Sequence, residues 1–347
     1  MGNYIRQSVS EMDGYVPGEQ RKDSDYIKLN TNENPYPPSP EVQQVLRDFG
    51  VDRLRRYPDP VCAELRDAIA EVHGCRAEQV FVGNGSDEIL SLCTRAFVDN
   101  SQTVSYFEPS YSLYRVLAEI RDVGVESVEL GVDFQWRFPD PVNAGVFFLT
   151  NPSAPTGLLY PCERVAEFCR SFDGVVVLDE AYVDFASADC MYLALELENV
   201  LCMRTFSKSF SLAGIRAGYA VGSPLLVNAL FKIKDSYNVN MISQLLALAA
   251  IRDIDYMRWN VERITKNRGY MARELERLGF VVFPSESNFL WVRHNSIEAA
   301  ALFEKLKQNR ILVRHFPGAR TGEYLRITVG SQDETEQLVG AMRMICG

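Results

Sequence analysis

An α/β fold with a mainly parallel central sheet, followed by a smaller α+β unit at the C-terminus, is the architecture that the sequence predicts. Three observations carry it. Short β-rich apolar runs alternate with helical patterns between 79 and 182, and such alternation builds parallel strands joined by right-handed helical crossovers. The run Val175-Val176-Val177-Leu178 lacks the polar alternation of a half-exposed strand, so its sheet is expected to be covered on both faces. From Phe280 the order changes to strand, helix, strand, strand, helix, which marks a second domain.

Residues 1–28 are rich in Asp, Glu, Gln and Gly without a sustained period and read as an N-terminal arm. The run QVFVG (79–83) leads into a helix over 86–98, TVSYFE (103–108) into one over 110–123, and VFFLT (146–150) into one over 161–172; the strand VVVLD (175–179) follows. In such a sheet the ligand site lies at the carboxyl ends of the strands. After Gly222 two long helical stretches follow, the more charged over 255–278. The large domain is set at 29–247 and the small domain at 248–347, with the boundary in or beside a long helix and drawn to within about ten residues.

Lys and Arg number 36 against 46 Asp and Glu, a formal charge of −10. This balance disfavours general attraction to nucleic acid or an anionic membrane and leaves any anionic ligand to a local cluster of cations. The eight cysteines (Cys62, Cys75, Cys93, Cys162, Cys169, Cys190, Cys202 and Cys346) form no C-x-x-C pair, and several fall in apolar patterns. They read as reduced packing residues of a cytosolic protein, and no metal is expected. The opening MGNYIRQSVSEMDGY lacks the apolar core of a signal peptide, and no apolar run approaches the ~18 residues of a membrane span. A cytoplasmic protein is expected.

The segment TFSKSFSLAGIRAGY (205–219) sets Lys208 among small hydroxyl residues, with Arg216 further on, the setting of a lysine that bonds a carbonyl cofactor. In VGNGSDE (82–88), after a strand and at a helix start, the N–H groups of Gly85, Ser86 and Asp87 can face a phosphate, or Ser86 or Asp87 caps the helix; the two are compatible. Neither Walker nor G-x-G-x-x-G spacing is present, so nucleoside triphosphate and dinucleotide binding lose support. Asp179 ends an apolar strand, where a carboxylate needs a cation or a capping role. Tyr182 and Tyr111 follow two of the strands and on local chemistry are packing residues. Tyr57, in RRYPDP, is a turn residue on local chemistry. Arg314 and Arg326 fall on two expected strands of the small domain, where each is a fork for carboxylate or phosphate or a surface ion-pair residue.

In their combination and order these segments resemble the fold-type-I pyridoxal-phosphate (PLP) enzymes, and most closely the histidinol-phosphate aminotransferases, from about residue 28 to the C-terminus. The resemblance implies that Lys208 carries the cofactor and moves the substrate proton, that Asp179 pairs with the protonated pyridine nitrogen, that Tyr182 bonds the phenolic oxygen and that Tyr111 stacks on the ring. It places Gly85, Ser86, Asp87, Ser207 and Arg216 around the phosphate, joined by Tyr57 from the other subunit of a homodimer. Arg326 would hold the carboxylate of the amino donor and, with Arg314, the phosphate of histidinol phosphate. Asn34, within LNTNENPY (29–36), and Tyr15 in the arm are further substrate-binding candidates.

The loop TNPSAPTG (150–157) departs from the family, since Ala154 stands where an asparagine usually donates to the phenolic oxygen; Asn151 is the nearest substitute. Its two prolines favour a cis peptide. The implied reaction is transamination between histidinol phosphate or imidazole-acetol phosphate and glutamate or 2-oxoglutarate, in histidine biosynthesis. An aromatic or broad-range aminotransferase and a threonine-phosphate decarboxylase would share the cofactor residues. A ligand-sensing regulator would add a basic DNA-binding domain, and an inactive scaffold would not be expected to keep Lys208, Asp179 and Arg216 together.

Overall fold

A computed structural model describes residues 4–21, 25–137 and 143–347; parts of the expected arm, 1–3 and 22–24, lie outside them. Strand β1 (Ile27–Lys28) is followed by β2 (Val80–Gly83), β3 (Thr103–Glu108), β4 (Gly124–Glu129), β5 (Ala144–Thr150), β6 (Val175–Asp179), β7 (Val200–Thr205) and β8 (Gly218–Gly222). The C-terminal part adds β9 (Phe280–Val282), β10 (Phe289–His294), β11 (Ile311–Leu312), β12 (Arg314–His315) and β13 (Leu325–Thr328). Seven strands in the order β2-β8-β7-β6-β5-β3-β4 form the central sheet, in which β3 to β7 pair in parallel and only β8 runs against its neighbours.

Both faces of this sheet are covered, as its apolar runs require. Successive side chains of a strand point to opposite faces, so Val146 and Phe148 pack with the helices Ser86–Phe97, Leu113–Arg121 and Pro224–Ile233. Phe147 and Leu149 pack on the other side with the helices Ala63–His73, Cys162–Ser171 and Met241–Arg252. A third core joins the antiparallel sheet β12-β13-β10-β9 to the helices Ile254–Arg277, Ala299–Gln308 and Gln332–Cys346. β1 pairs in parallel with β11, which ties the start of the chain to this second unit and buries Leu29 in its core.

The structure differs from expectation in four places. Strand β4, GVESVE, lies at the sheet edge with most of its side chains exposed, so no apolar run announces it. The first helical stretch after Gly222 breaks over 234–240, where Asn240 caps the next helix by accepting from Ser243 N at 2.9 Å. Two strands rather than one, β9 and β10, precede the helix Ala299–Gln308. The cysteines are not all reduced: Cys162 and Cys190 form a disulfide, while the other six are free. The bridge joins a helix start to a loop 28 positions away, a separation at which sequence spacing carries no signal. Among the described residues no helix is long and apolar enough to cross a membrane, and no cluster of His, Cys, Asp or Glu could hold a metal.

Candidate active site

A cavity of about 290 Å³ opens where the parallel strands end. Each strand delivers part of its wall through the loop that follows: β2 brings Ser86 and Asp87, β3 brings Ser110 and Tyr111, β5 brings Ala154 and Pro155, β6 brings Asp179 and Tyr182, and β7 brings Ser207 and Lys208. This is the crevice at the carboxyl ends that α/β sheets offer to ligands. The second unit closes it with Arg314, Phe316 and Arg326, and the chain from the arm into β1 and beyond adds Tyr15, Gly18 and residues 30–33.

Asp179 is buried at the end of β6, where its Oδ2 accepts from Tyr114 Oη at 2.7 Å and its Oδ1 from Ala181 N at 3.1 Å. Burial pushes its carboxyl up to about 6, against the pull of those two bonds, and Asp87 and Glu180 add to the rise. Among the described residues no cation forms an ion pair with it. A buried carboxylate facing a cavity in this state is ready for a cationic ligand group.

Lys208 reaches the cavity from the turn after β7, its Nζ donating to Thr31 O at 3.2 Å and lying 5.6 Å from the Tyr182 ring centre. Beside it Arg216 Nη1 meets Ser207 Oγ at 3.4 Å, and Nη2 pairs with Asp87 Oδ2 at 3.0 Å. Gly85 makes this approach possible, because a Cβ there would stand 2.8 Å from Arg216 Nη2 and its φ of +83° favours glycine. The start of the helix Ser86–Phe97, the Ser207 hydroxyl and the Arg216 guanidinium thus converge on one edge of the cavity, a set that suits a phosphate. Tyr111 contributes its ring and meets Asp87 Oδ1 at 3.3 Å through its hydroxyl.

On the opposite side Arg326 lies between the rings of Phe289 and Phe316, 5.3 and 5.2 Å from their centres. It donates one bond, Nη2 to Asn30 O at 3.2 Å, and among the described residues its buried Nε has no partner. Burial lowers its proton affinity, and so does the neighbouring Arg314. Arg314 holds the arm by donating to Val16 O at 3.1 Å and Pro17 O at 3.3 Å, which brings Tyr15 edge-on to Tyr111 at 5.8 Å.

Four sequence candidates do not line the cavity. Asn151 is turned away: its Oδ1 accepts from Tyr160 N at 2.8 Å and its Nδ2 donates to Tyr160 O at 3.1 Å, so its amide is spent on the loop, while Ala154 and Pro155 face inward. That loop has cis peptides at Asn151–Pro152 and Ala154–Pro155, as its prolines suggested, and Glu108–Pro109 is also cis. Asn34 braces the lysine turn from behind, donating to the carbonyls of Lys208 and Ser209 at 3.1 and 3.0 Å. Gly85 acts through Arg216. Tyr57 stands 78% exposed on the surface, stacked on Tyr237 at 4.4 Å.

Sequence reasoning missed Tyr114, Asn32 and Arg204. Asn32 Nδ2 donates to Tyr182 Oη at 3.0 Å, and only the shared NTNENP segment pointed near it. Arg204 binds the buried Glu180 through Nε and Nη2 at 2.9 and 2.7 Å, while Ser209 donates to Asp184, so the turn carrying Lys208 is tied to the end of β6. The signal available was the charge pair Glu180 and Arg204 at the ends of two apolar strands.

The gathering of Lys208, Asp179, Arg216 and Tyr111 in one cavity at the carboxyl ends of a mainly parallel sheet is the arrangement of a PLP-dependent enzyme of fold type I. The chain belongs to the aminotransferase class I and II family, whose model matches residues 24–342, and its cofactor is pyridoxal 5′-phosphate. It is 45% identical to the histidinol-phosphate aminotransferase of Chromohalobacter salexigens over 354 residues, covering 100% of both chains. It is 41% identical to that of Citrifermentans bemidjiense, over 98% of this chain and 97% of the relative. Its fold matches the crystal structure of histidinol-phosphate aminotransferase from Sinorhizobium meliloti in complex with pyridoxal-5′-phosphate with a TM-score of 0.89 at 24% identity, over 99% of each chain.

Proposed function

We propose that the chain transfers the amino group between histidinol phosphate and 2-oxoglutarate, giving imidazole-acetol phosphate and glutamate, in histidine biosynthesis. The observation that carries this reading is Arg326, a half-buried guanidinium whose buried Nε has no partner among the described residues, set beside Arg314 in the same cavity as Lys208 and Asp179. A planar fork of this kind takes the carboxylate of glutamate or the phosphate of histidinol phosphate in turn, so one pocket serves both half-reactions. The full-length identity to enzymes of that name supports histidinol phosphate over phenylalanine or threonine phosphate.

Bound PLP supplies an electron sink that acidifies the Cα–H of the attached amine. The protein does the rest. Asp179 would take the ring nitrogen and favour its protonated form, Tyr111 would face the ring, and Tyr182, held by Asn32, would bond the phenolic oxygen. Ser207, Arg216 and the N–H groups of Ser86 and Asp87 would hold the phosphate. Lys208 Nζ would take the proton from the substrate Cα and deliver it to the cofactor C4′. Tyr15 and Arg314 close the substrate side.

The same reading includes a homodimer in which Tyr57 reaches the neighbour's phosphate, supported by the exposure of Tyr57 beside Val51 and Leu54. It also includes an arm, a large domain and a small domain. Packing of the helix Met241–Arg252 in the core of the central sheet supports a large–small boundary near Asp253. Steady-state assay of the purified protein with histidinol phosphate and 2-oxoglutarate, beside phenylalanine and threonine phosphate, tests the substrate. A higher kcat/KM for either competitor, or release of carbon dioxide from threonine phosphate, overturns the assignment.

A further inference from the structure

We propose that Tyr114 is a positioning residue that keeps the Asp179 carboxylate ionised and aimed into the cavity, through a buried chain from Thr150 to Tyr114 to Asp179. The proposal rests on the reading that Asp179 meets the cofactor ring. Tyr114 stands at the start of the helix Leu113–Arg121 with 0% of its surface exposed. Its ring is fixed on three sides, stacked on Phe148 at 4.7 Å and set against Tyr111 and Tyr106, both at 5.7 Å. Its Oη therefore has one place to be, 2.7 Å from Thr150 Oγ1 and 2.7 Å from Asp179 Oδ2.

A hydroxyl has a single proton, so while it donates to Asp179 it can accept from Thr150, and the three groups are satisfied in one direction. The arrangement also holds with pH, because burial and the nearby Asp179 charge push the Tyr114 phenol far above its ordinary range and keep it a donor. Of the groups that act on Asp179, Asp87 and Glu180 disfavour its charge, and burial disfavours it most. The Tyr114 hydroxyl and Ala181 N–H are left to favour the charged form, with Lys208, Arg216, Tyr111 and Tyr182 around the same cavity. Tyr114 does not itself line the cavity, and it reaches the site through the lining groups it touches, giving its proton to Asp179.

The test is PLP affinity, followed by fluorescence as cofactor is added back to stripped full-length protein between pH 5 and 8, for the parent, Tyr114→Phe, Asp179→Asn and the double variant. Loss of one charge-assisted bond is expected to weaken binding by Tyr114→Phe about tenfold near pH 6 and to move the acid limb of affinity up by about one pH unit. In the Asp179→Asn background the limb is absent and Tyr114→Phe adds less than about twofold, because there is no carboxylate left to act through. A merely structural role would lower the melting temperature in both backgrounds and leave the limb in place. An unshifted limb in Tyr114→Phe beside a weakened Asp179→Asn overturns the proposal and leaves the role of Asp179 standing. Parent-like affinity and an unchanged limb in Asp179→Asn overturn both. Should Tyr114→Phe not fold, Thr150→Val, which removes only the hydroxyl behind Tyr114, decides the matter: a smaller upward shift supports the chain and an unshifted limb overturns it.

Discussion

Lys208 has a carbonyl partner at Thr31 and an aromatic neighbour in Tyr182, and its turn is pinned from behind by Asn34. Borohydride reduction of the holoenzyme followed by peptide mapping is expected to find the cofactor on Lys208, and Lys208→Ala is expected to lower transamination by at least about a thousandfold. A reduced adduct on another lysine would contradict the assignment. Asp179 offers a second test at this scale, in which the sign matters. Burial raises its carboxyl from 3.8 to about 6, so between those values the folded protein holds a proton that the unfolded chain has released. Its contribution to stability therefore falls as pH rises through that window. Cofactor-free Asp179→Asn is expected to exceed the parent in urea-unfolding stability at pH 8, by about 3 kcal/mol at most, and to match it below pH 4. Equal stability at both pH values would show that the carboxylate is not penalised by burial.

The phosphate edge depends on one element, the turn from β2 into the helix Ser86–Phe97. Gly85→Ala combines a positive φ with a Cβ 2.8 Å from Arg216 Nη2, so the new methyl must displace the guanidinium. It is expected to cost at least about 1 kcal/mol in stability and to weaken PLP binding. Gly74→Ala is the control: at φ +62° with open space around it, it carries the backbone penalty at the end of the helix Ala63–His73 without touching the site. Equal PLP affinity in Gly85→Ala and Gly74→Ala, measured by fluorescence titration, would show that Arg216 does not need the space. β4 teaches the complementary lesson about elements. Its exposed edge needs no apolar pattern, so only pairing with β3 makes it a strand.

Two predictions belong to the whole molecule. His73, half-buried, shares a 3.0 Å hydrogen bond with the buried Tyr219 Oη, and loss of solvent around it lowers its imidazole from 6.5 to about 4. Its stability contribution is complete above pH 6.5 and is lost as pH falls towards 4, the opposite slope to Asp179 across nearly the same window. Relative to the parent, Asp179→Asn should therefore steepen the loss of stability on acidification from pH 6 to 4, and His73→Gln should flatten or reverse it; urea unfolding of the cofactor-free proteins at several pH values reads both. If Tyr57 completes the neighbour's site, mixed dimers of inactive Lys208→Ala with an inactive variant carrying a bulky replacement at Tyr57 should recover activity, because one site in each hybrid keeps both residues. Hybrids that exchange subunits and stay inactive would leave Tyr57 a surface turn residue.

The class of fold and most of the candidate residues that line the cavity are legible in the sequence. Apolar runs of period two or none, helical runs between them, Asp179 at a strand end, and Lys208 and Arg216 in one short segment are local signals, and the parallel arrangement follows from connection length and chirality. Tertiary structure alone decided what depends on distant groups meeting. Asn151 and Asn34 look alike as candidates in the sequence, yet one is consumed by Tyr160 and the other by the backbone of the lysine turn. The Cys162–Cys190 bridge, the hold of Asn32 on Tyr182 and that of Tyr114 on Asp179 join segments from 28 to 150 positions apart. No periodicity records such meetings, because hydrogen bonds and disulfides are set by side-chain direction and distance in the packed molecule, to which sequence spacing is blind.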